Sequence, residues 1–172
     1  EERELILDIF EAVSGSRMMC NYFRFGGVAR DVSDDILEKV RRLVNDRLPR
    51  KVDEMDEFLT KNEIVRERCE GVGILTAEQA IANSASGPVL RASGVPYDVR
   101  RAEPYSIYDR LEFDVAVRYH GDIYDRYLIR LDEMRQSLRI LQQVLRDIPE
   151  GPIMTGKPQY QVRVPPGEAY GR

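Results

Sequence analysis

Ile123-Tyr124-Asp125-Arg126-Tyr127-Leu128-Ile129-Arg130-Leu131-Asp132-Glu133-Met134-Arg135-Gln136-Ser137-Leu138-Arg139-Ile140-Leu141-Gln142-Gln143-Val144-Leu145-Arg146 is the stretch on which the fold turns. Its apolar stripe, Ile123, Tyr127, Leu131, Met134, Leu138, Leu141 and Leu145, recurs at the spacing of one helix face. Gly121-Asp122 opens the helix, and Pro149, which cannot continue it, marks its end. A long amphipathic helix of this kind needs an apolar surface to lie on, and the rest of the chain has to supply it.

Immediately upstream, Leu111-Glu112-Phe113-Asp114-Val115-Ala116-Val117 alternates apolar and polar residues, the pattern of a half-buried strand. Residues 84–110 are rich in Gly, Pro, Ser and Arg and read as irregular. Thr76-Ala77-Glu78-Gln79 is a capping-box candidate with Glu one position early, opening a short helix to about Asn83. Further back, Ser33 with Asp34 and Asp35 starts a helix through Ile36, Val40, Leu43 and Val44 to about Leu48. Pro49 breaks or kinks it, a second helix follows through Val52, Met55, Phe58 and Leu59, and a third forms around Ile64 and Val65. The chain opens on a helical pattern, Leu5 to Val13, that stops near Ser14-Gly15. The adjacent glycines of Phe23-Arg24-Phe25-Gly26-Gly27-Val28 predict a loop with an unusual backbone. Residues 150–172 look like a linker, with a short alternation at Tyr160-Gln161-Val162-Arg163-Val164.

The expected fold is therefore α+β and mainly α: part of a helical bundle, irregular loops, one or two short strands and a long C-terminal amphipathic helix. Residues 1–32 form a helix plus an interface loop, 33–84 a helical segment, 85–120 an irregular loop plus strand, 121–149 the long helix and 150–172 the linker. At 172 residues one domain is the default. The 42% hydrophobic content argues against disorder. With 26 basic against 30 acidic residues the net charge is −4, and the basic residues are interspersed, which speaks against nucleic acid. No run reaches the roughly 18 apolar residues of a membrane span. The opening Glu1-Glu2-Arg3-Glu4 lacks a signal peptide and suggests a chain that starts inside a longer one. Cys20 and Cys69, with no CxxC neighbour, read as reduced thiols, with a disulfide as the alternative.

Autonomous chemistry finds little support. His120 is the single histidine, at a turn, and reads as an exposed polar residue instead of a catalytic base or a member of a His-rich metal site. Gly71-Val72-Gly73 lacks the third glycine and preceding strand of a dinucleotide fingerprint. Arginines on the long helix read as surface ion pairs of small individual worth. Ser86-Gly87-Pro88-Val89-Leu90-Arg91-Ala92-Ser93-Gly94, with small residues and one Arg, implies tight backbone packing.

Those stretches also carry a resemblance. Ala12-Val13-Ser14-Gly15-Ser16-Arg17-Met18-Met19 and Tyr22 to Val28 are similar to the quinone-facing subunit of NADH:quinone oxidoreductase (respiratory complex I), itself related to the nickel–iron hydrogenase large subunit. It is termed the 49-kDa or D subunit in respiratory enzymes and H in photosynthetic ones. Gly71 to Ala80, Ser86 to Val95, Tyr97 to Arg100, Gly121-Asp122, Asp125-Arg126-Tyr127, Glu133 to Ser137 and Val164 to Gly171 extend it over essentially the whole chain. The resemblance implies a central fragment of a hydrogenase-large-subunit-like domain in a peripheral arm on the cytoplasmic side of the bacterial inner membrane. Its neighbours would be an iron–sulfur-bearing small subunit and other complex I subunits. Quinone would be the substrate, with FMN and iron–sulfur clusters held by partners and no cofactor or metal bound by this chain.

It places Arg17, Met18, Met19, Arg24, Gly26 and Gly27 near the quinone chamber or the interface with the cluster-bearing subunit. The family's quinone-headgroup His and Tyr fall upstream, so the fragment should be inactive alone and should tend to self-associate through uncovered apolar surface. Many relatives carry His at the position of Met19. Paired CxxC motifs, which a hydrogenase needs for nickel and iron, are absent here. The alternatives are a ferredoxin-driven or hydrogenase-like membrane oxidoreductase subunit and a non-catalytic helical interaction module.

Overall fold

A computed structural model of the chain describes residues 2–156 and 165–168; the Tyr160–Val164 alternation lies outside the described residues. The chain divides into two compact units, residues 1–37 with 149–172, and residues 38–148. The fold is mainly helical, with a single two-stranded antiparallel sheet among the described residues.

In the first unit, helix α1 (Glu2–Ser14) carries Glu2 and Glu4 in its first turn, where they complement the helix dipole. It buries none of its residues. Gly15, at φ +81, ends it by donating its N–H to Glu11 O at 2.7 Å. Strands β1 (Phe23–Arg24) and β2 (Gly27–Val28) form a minimal hairpin, Phe23 opposite Val28 and Arg24 opposite Gly27.

Helix α2 (Asp34–Arg42) begins with two aspartates and ends with Lys39, Arg41 and Arg42, charges that suit both ends of the dipole. Pro49 does not break the helical path that continues from it. A wide π-helical turn, Leu43–Arg47, comes first, in which the Leu48 N–H reaches back to Leu43 O. Its extra residue makes room at Asn45, the carbonyl the proline ring would otherwise strike. Helix α3 (Leu48–Met55) follows, then a second π turn, Asp56–Thr60, and α4 (Glu63–Cys69), capped by Asn62 Oδ1.

The short helix expected after Thr76 forms as α5 (Ala77–Ala82), whereas the region expected to be irregular, 84–110, holds α6 (Gly87–Ala92), α7 (Val99–Ala102) and a 3-10 turn, Tyr108–Arg110. Thr76 closes a true capping box on α5, with Gln79 as the reciprocal partner instead of the early Glu78. The strand expected at Leu111–Val117 does not form. The segment is extended and its alternation is real: Leu111 and Phe113 are buried, Glu112 and Asp114 exposed. Among the described residues no strand lies beside it. Gln143 and Gln136 of the long helix α8 (Ile123–Arg146) accept the backbone N–H groups of Glu112 at 2.8 Å and Asp114 at 3.0 Å, while Gln143 Nε2 donates to Glu112 O.

Two apolar clusters meet on α8. Val44, Val52, Leu131 and Leu138 form one, flanked by Val40, Leu48, Tyr127, Met134 and Leu145; Leu111, Phe113 and Ile140 form the other. Ile129, off the stripe read from the sequence, is 0% exposed, whereas Ile123 and Leu141 on that stripe are about two-fifths exposed. The helix is covered on two sides, so a single amphipathic face underestimates what it buries. Each completely buried aliphatic side chain of this kind stabilises by roughly 1.5–3 kcal/mol.

Candidate functional site

The loop after α1 is anchored by charge. Arg17 folds back over the helix and meets Asp8 at 2.5 Å, Glu4 at 2.6 Å and Glu11 at 3.4 Å. These acids stand one helical turn apart on one face. Hydrogen bonding to Asp8 is the main cause raising the Arg17 pKa further above its ordinary value. Met18 and Met19 follow with their side chains in the open, 71% and 88% exposed.

Arg24 finds different company. Its Nη1 donates to Asn21 O, Asn21 Oδ1 and Phe23 O, all neutral acceptors. Phe23 and Phe25 on either side of it are exposed. Gly26 lies at φ +88, a turn conformation that favours glycine, and no Cβ could fit at Gly27, where it would stand 2.1 Å from Ile153 O. Arg17, Met18, Met19, Arg24, Gly26 and Gly27 therefore lie on one loop-and-hairpin segment of the first unit, with Arg17 tied to α1 and Arg24 to its own loop.

Several of the other motif residues converge at the start of α8 in the second unit. Asp122 caps the helix by accepting from the Asp125 N–H at 2.7 Å, and its other oxygen accepts from Gly71 N–H at 2.8 Å. Burial alone would raise the Asp122 pKa. The two backbone hydrogen bonds, with the charges of His120 and Arg126, outweigh it and hold the carboxyl below its ordinary value. Arg126 donates to Gly121 O and Gly73 O, Leu75 N–H donates to Gly121 O, and Ser93 Oγ donates to Leu75 O. Gly121 N–H and Arg118 N–H donate to Ala92 O and Arg91 O. Residues 71–75, α6 and the α8 N-terminus are thus laced into one junction. His120 belongs to its rim: the side chain is 82% exposed, with Nδ1 3.1 Å from Asp125 Oδ2.

A buried ion network, not picked out from the sequence, sits between α6 and α8. Arg91 pairs with Glu133, donates to Tyr97 O at 3.0 Å and lies 4.0 Å from Asp98. Asp98 takes two hydrogen bonds from the Arg100 side chain, the leading cause of its lowered pKa. Arg100 and Arg101 in turn stack on the Phe113 ring at 4.8 and 4.2 Å. Partners 42 residues apart, such as Arg91 and Glu133, leave no local pattern to read. Asp122 did offer one, as an N-cap residue ahead of a periodic run.

Cys20 and Cys69 are free thiols. Among the described residues no three His, Cys, Asp or Glu side chains gather as metal ligands would, and no helix is long and apolar enough to cross a membrane.

The chain matches the family described as Respiratory-chain NADH dehydrogenase, 49 Kd subunit, over residues 1–171. It is 54% identical over 179 residues to D subunit 1 of the NADH-quinone oxidoreductase of Roseiflexus sp. (strain RS-1), covering 99% of this chain and 47% of that protein. The corresponding D subunit of Dehalococcoides mccartyi (strain ATCC BAA-2266 / KCTC 15142 / 195) is 51% identical over 171 residues, 99% of this chain and 46% of the relative. That of Gluconacetobacter diazotrophicus is 48% identical over 153 residues, 89% of this chain and 36% of the relative. The chain spans about half the length of the first of these relatives or less. Matched over residues 1–171, the chain belongs to the family of the 49 kDa subunit of respiratory-chain NADH dehydrogenase.

Proposed function

We propose that this chain works within a proton-translocating NADH:quinone oxidoreductase, as part of the subunit lining the quinone-reduction chamber beside the terminal iron–sulfur cluster. The observation that carries this is the 54% identity to a D subunit of NADH-quinone oxidoreductase across 99% of the chain. The subunit sits peripherally on the cytoplasmic face of the membrane, against an iron–sulfur-bearing partner and further subunits of the same assembly.

FMN and iron–sulfur clusters in partner subunits supply the electron transfer. This chain's residues supply placement and field. Arg17 contributes little net positive charge, because three carboxylates surround it. Arg24, hydrogen-bonded to neutral oxygens through its Nη1, keeps its charge available. A cation near a reduced cluster favours the extra electron, so Arg24 is the residue that raises the potential. Met18, Met19, Phe23 and Phe25, all exposed, supply the apolar surface against which a neighbour packs.

Met19 cannot titrate, unlike the histidine of many relatives. The terminal cluster should therefore have a potential nearly independent of pH, and Met19→His should introduce a slope. An EPR-monitored redox titration in the wild type giving close to one proton per electron would contradict this.

The decisive test is to tag the full-length chromosomal gene, purify gently in detergent, and assay NADH-dependent quinone reduction with iron and flavin content. Inhibitor-sensitive activity with many irons per complex supports the reading. Iron without NADH activity points to a ferredoxin-driven or hydrogenase-like enzyme, and an iron-free protein leaves only the interaction module.

A further inference from the structure

The segment after the long helix reads in sequence as a linker, yet residues 153–155 form a strap on the glycine turn. Val28 N–H donates to Ile153 O at 3.1 Å, and Gly27 bridges Met154 in antiparallel fashion. Thr155 binds the Gly26 carbonyl twice, through its N–H at 2.8 Å and its Oγ1 at 3.0 Å. A Cβ on Gly26 would stand 2.8 Å from Thr155 Oγ1, and one on Gly27 would stand 2.1 Å from Ile153 O. The glycine pair is therefore explained by the close approach of this strap, without any ligand having to touch it.

Two strands of two residues each do not hold a conformation in water unaided. Phe23, which meets only the edge of the Tyr22 ring, and Phe25 remain 83% and 78% exposed. The strap at 153–155, bridged once at Met154 and hydrogen-bonded at Ile153 and Thr155, is what fixes the direction in which this tip projects.

The geometry points to Thr155 as a positioning residue: its double hydrogen bond to Gly26 sets the placement of Arg24 and Phe25 at the interface with the cluster-bearing partner. The inference rests on the proposed function for the identity of that partner. Thr155 touches neither substrate nor cluster, and acts through the hairpin.

The test uses the intact, tagged complex with Thr155→Val, which keeps the N–H and the shape but loses the hydroxyl, and Thr155→Ser, which restores it. In T155V, iron, flavin and NADH oxidation by an artificial acceptor that bypasses quinone stay at wild-type level. Quinone reduction falls about fivefold in kcat/KM, the population equivalent of one neutral hydrogen bond, and the terminal cluster's EPR line shifts. T155S restores both. Wild-type quinone kinetics and EPR in T155V, or failure of T155S to restore them, overturns the proposal. If T155V does not assemble, hydrogen exchange in the wild-type complex decides: residues 25–29 and 153–156 protected together support the strap, and rapid exchange of either overturns it. A wild-type preparation without clusters or NADH activity removes the functional reading itself, and this role with it.

Discussion

Arg91 of α6 and Glu133 of α8 are joined by a direct ion pair from which water is largely excluded, their side chains being 8% and 22% exposed. Glu133 carries the α8 side of this clamp, whereas Asp98 also has Arg100. Arg91→Met should cost about 3–5 kcal/mol, because it strands a partly buried carboxylate without its cation. Glu133→Gln keeps an acceptor for Arg91 and should cost about 1–2 kcal/mol. Urea unfolding of the two variants measures the difference. Equal losses would show that packing of the arginine stem matters and the charge does not.

Acid should loosen the second unit. Hydrogen bonding from Arg100 lowers the Asp98 pKa; at Asp122, burial pulls upward and the backbone N–H groups of Asp125 and Gly71 pull further down. A folded-state pKa below the unfolded value of about 3.9 contributes stability that is present above that value and is lost as pH falls through the folded one. The urea midpoint should therefore be flat from about pH 5 to 7 and drop below about pH 4. Asp122→Asn should flatten that acid limb while lowering stability at neutral pH. A wild-type midpoint unchanged down to pH 2 would refute the assignment.

Gly71 and Gly121 have nearly the same backbone, φ +70 and +67, in different surroundings. A Cβ at Gly71 meets open space, whereas at Gly121 it would stand 2.2 Å from Leu75 O. Gly71→Ala should cost only the left-handed strain, about 1 kcal/mol. Gly121→Ala should cost at least about twice that, because the 71–75 segment must also move. Faster amide exchange at Leu75 in G121A, with little change in G71A, is the accompanying signature.

How much of the structure is legible in the sequence varies with the range of the interaction. The long helix declares itself through its 3.6-residue period, Asp122 and Pro149, and its observed end at Arg146 agrees. Ile129 and Ile140 escape the pattern because a helix covered on two sides has no single stripe. The alternation correctly tells which side chains point inward from Leu111 to Asp114, whereas Val115, Ala116 and Val117 are all half-buried. It does not tell that glutamines replace a partner strand, since alternation reports burial and says nothing of the bonding partner. Pro49 reads as a breaker because a one-residue widening of the preceding turn leaves no mark in composition. For the candidate site, the acidic row Glu4, Asp8, Glu11 is open to reading at helical spacing. The Thr155 strap is not, because a one-residue bridge to Gly27 is too short to form a pattern.

The junction at the head of α8 also sets an order of events during synthesis. Gly71 must wait 51 residues for Asp122, and Arg91 must wait 42 for Glu133. At about 5–20 residues per second of translation, the earlier partner emerges roughly 3–10 s before its mate in the Gly71–Asp122 case. Until then the 71–75 segment and α6 have no template to fold on, and Val44 and Val52 stand without Leu131 and Leu138. The nascent chain therefore passes through a window in which the helical segments carrying Val44 and Val52 are made but unroofed, and arrival of the long helix closes that window.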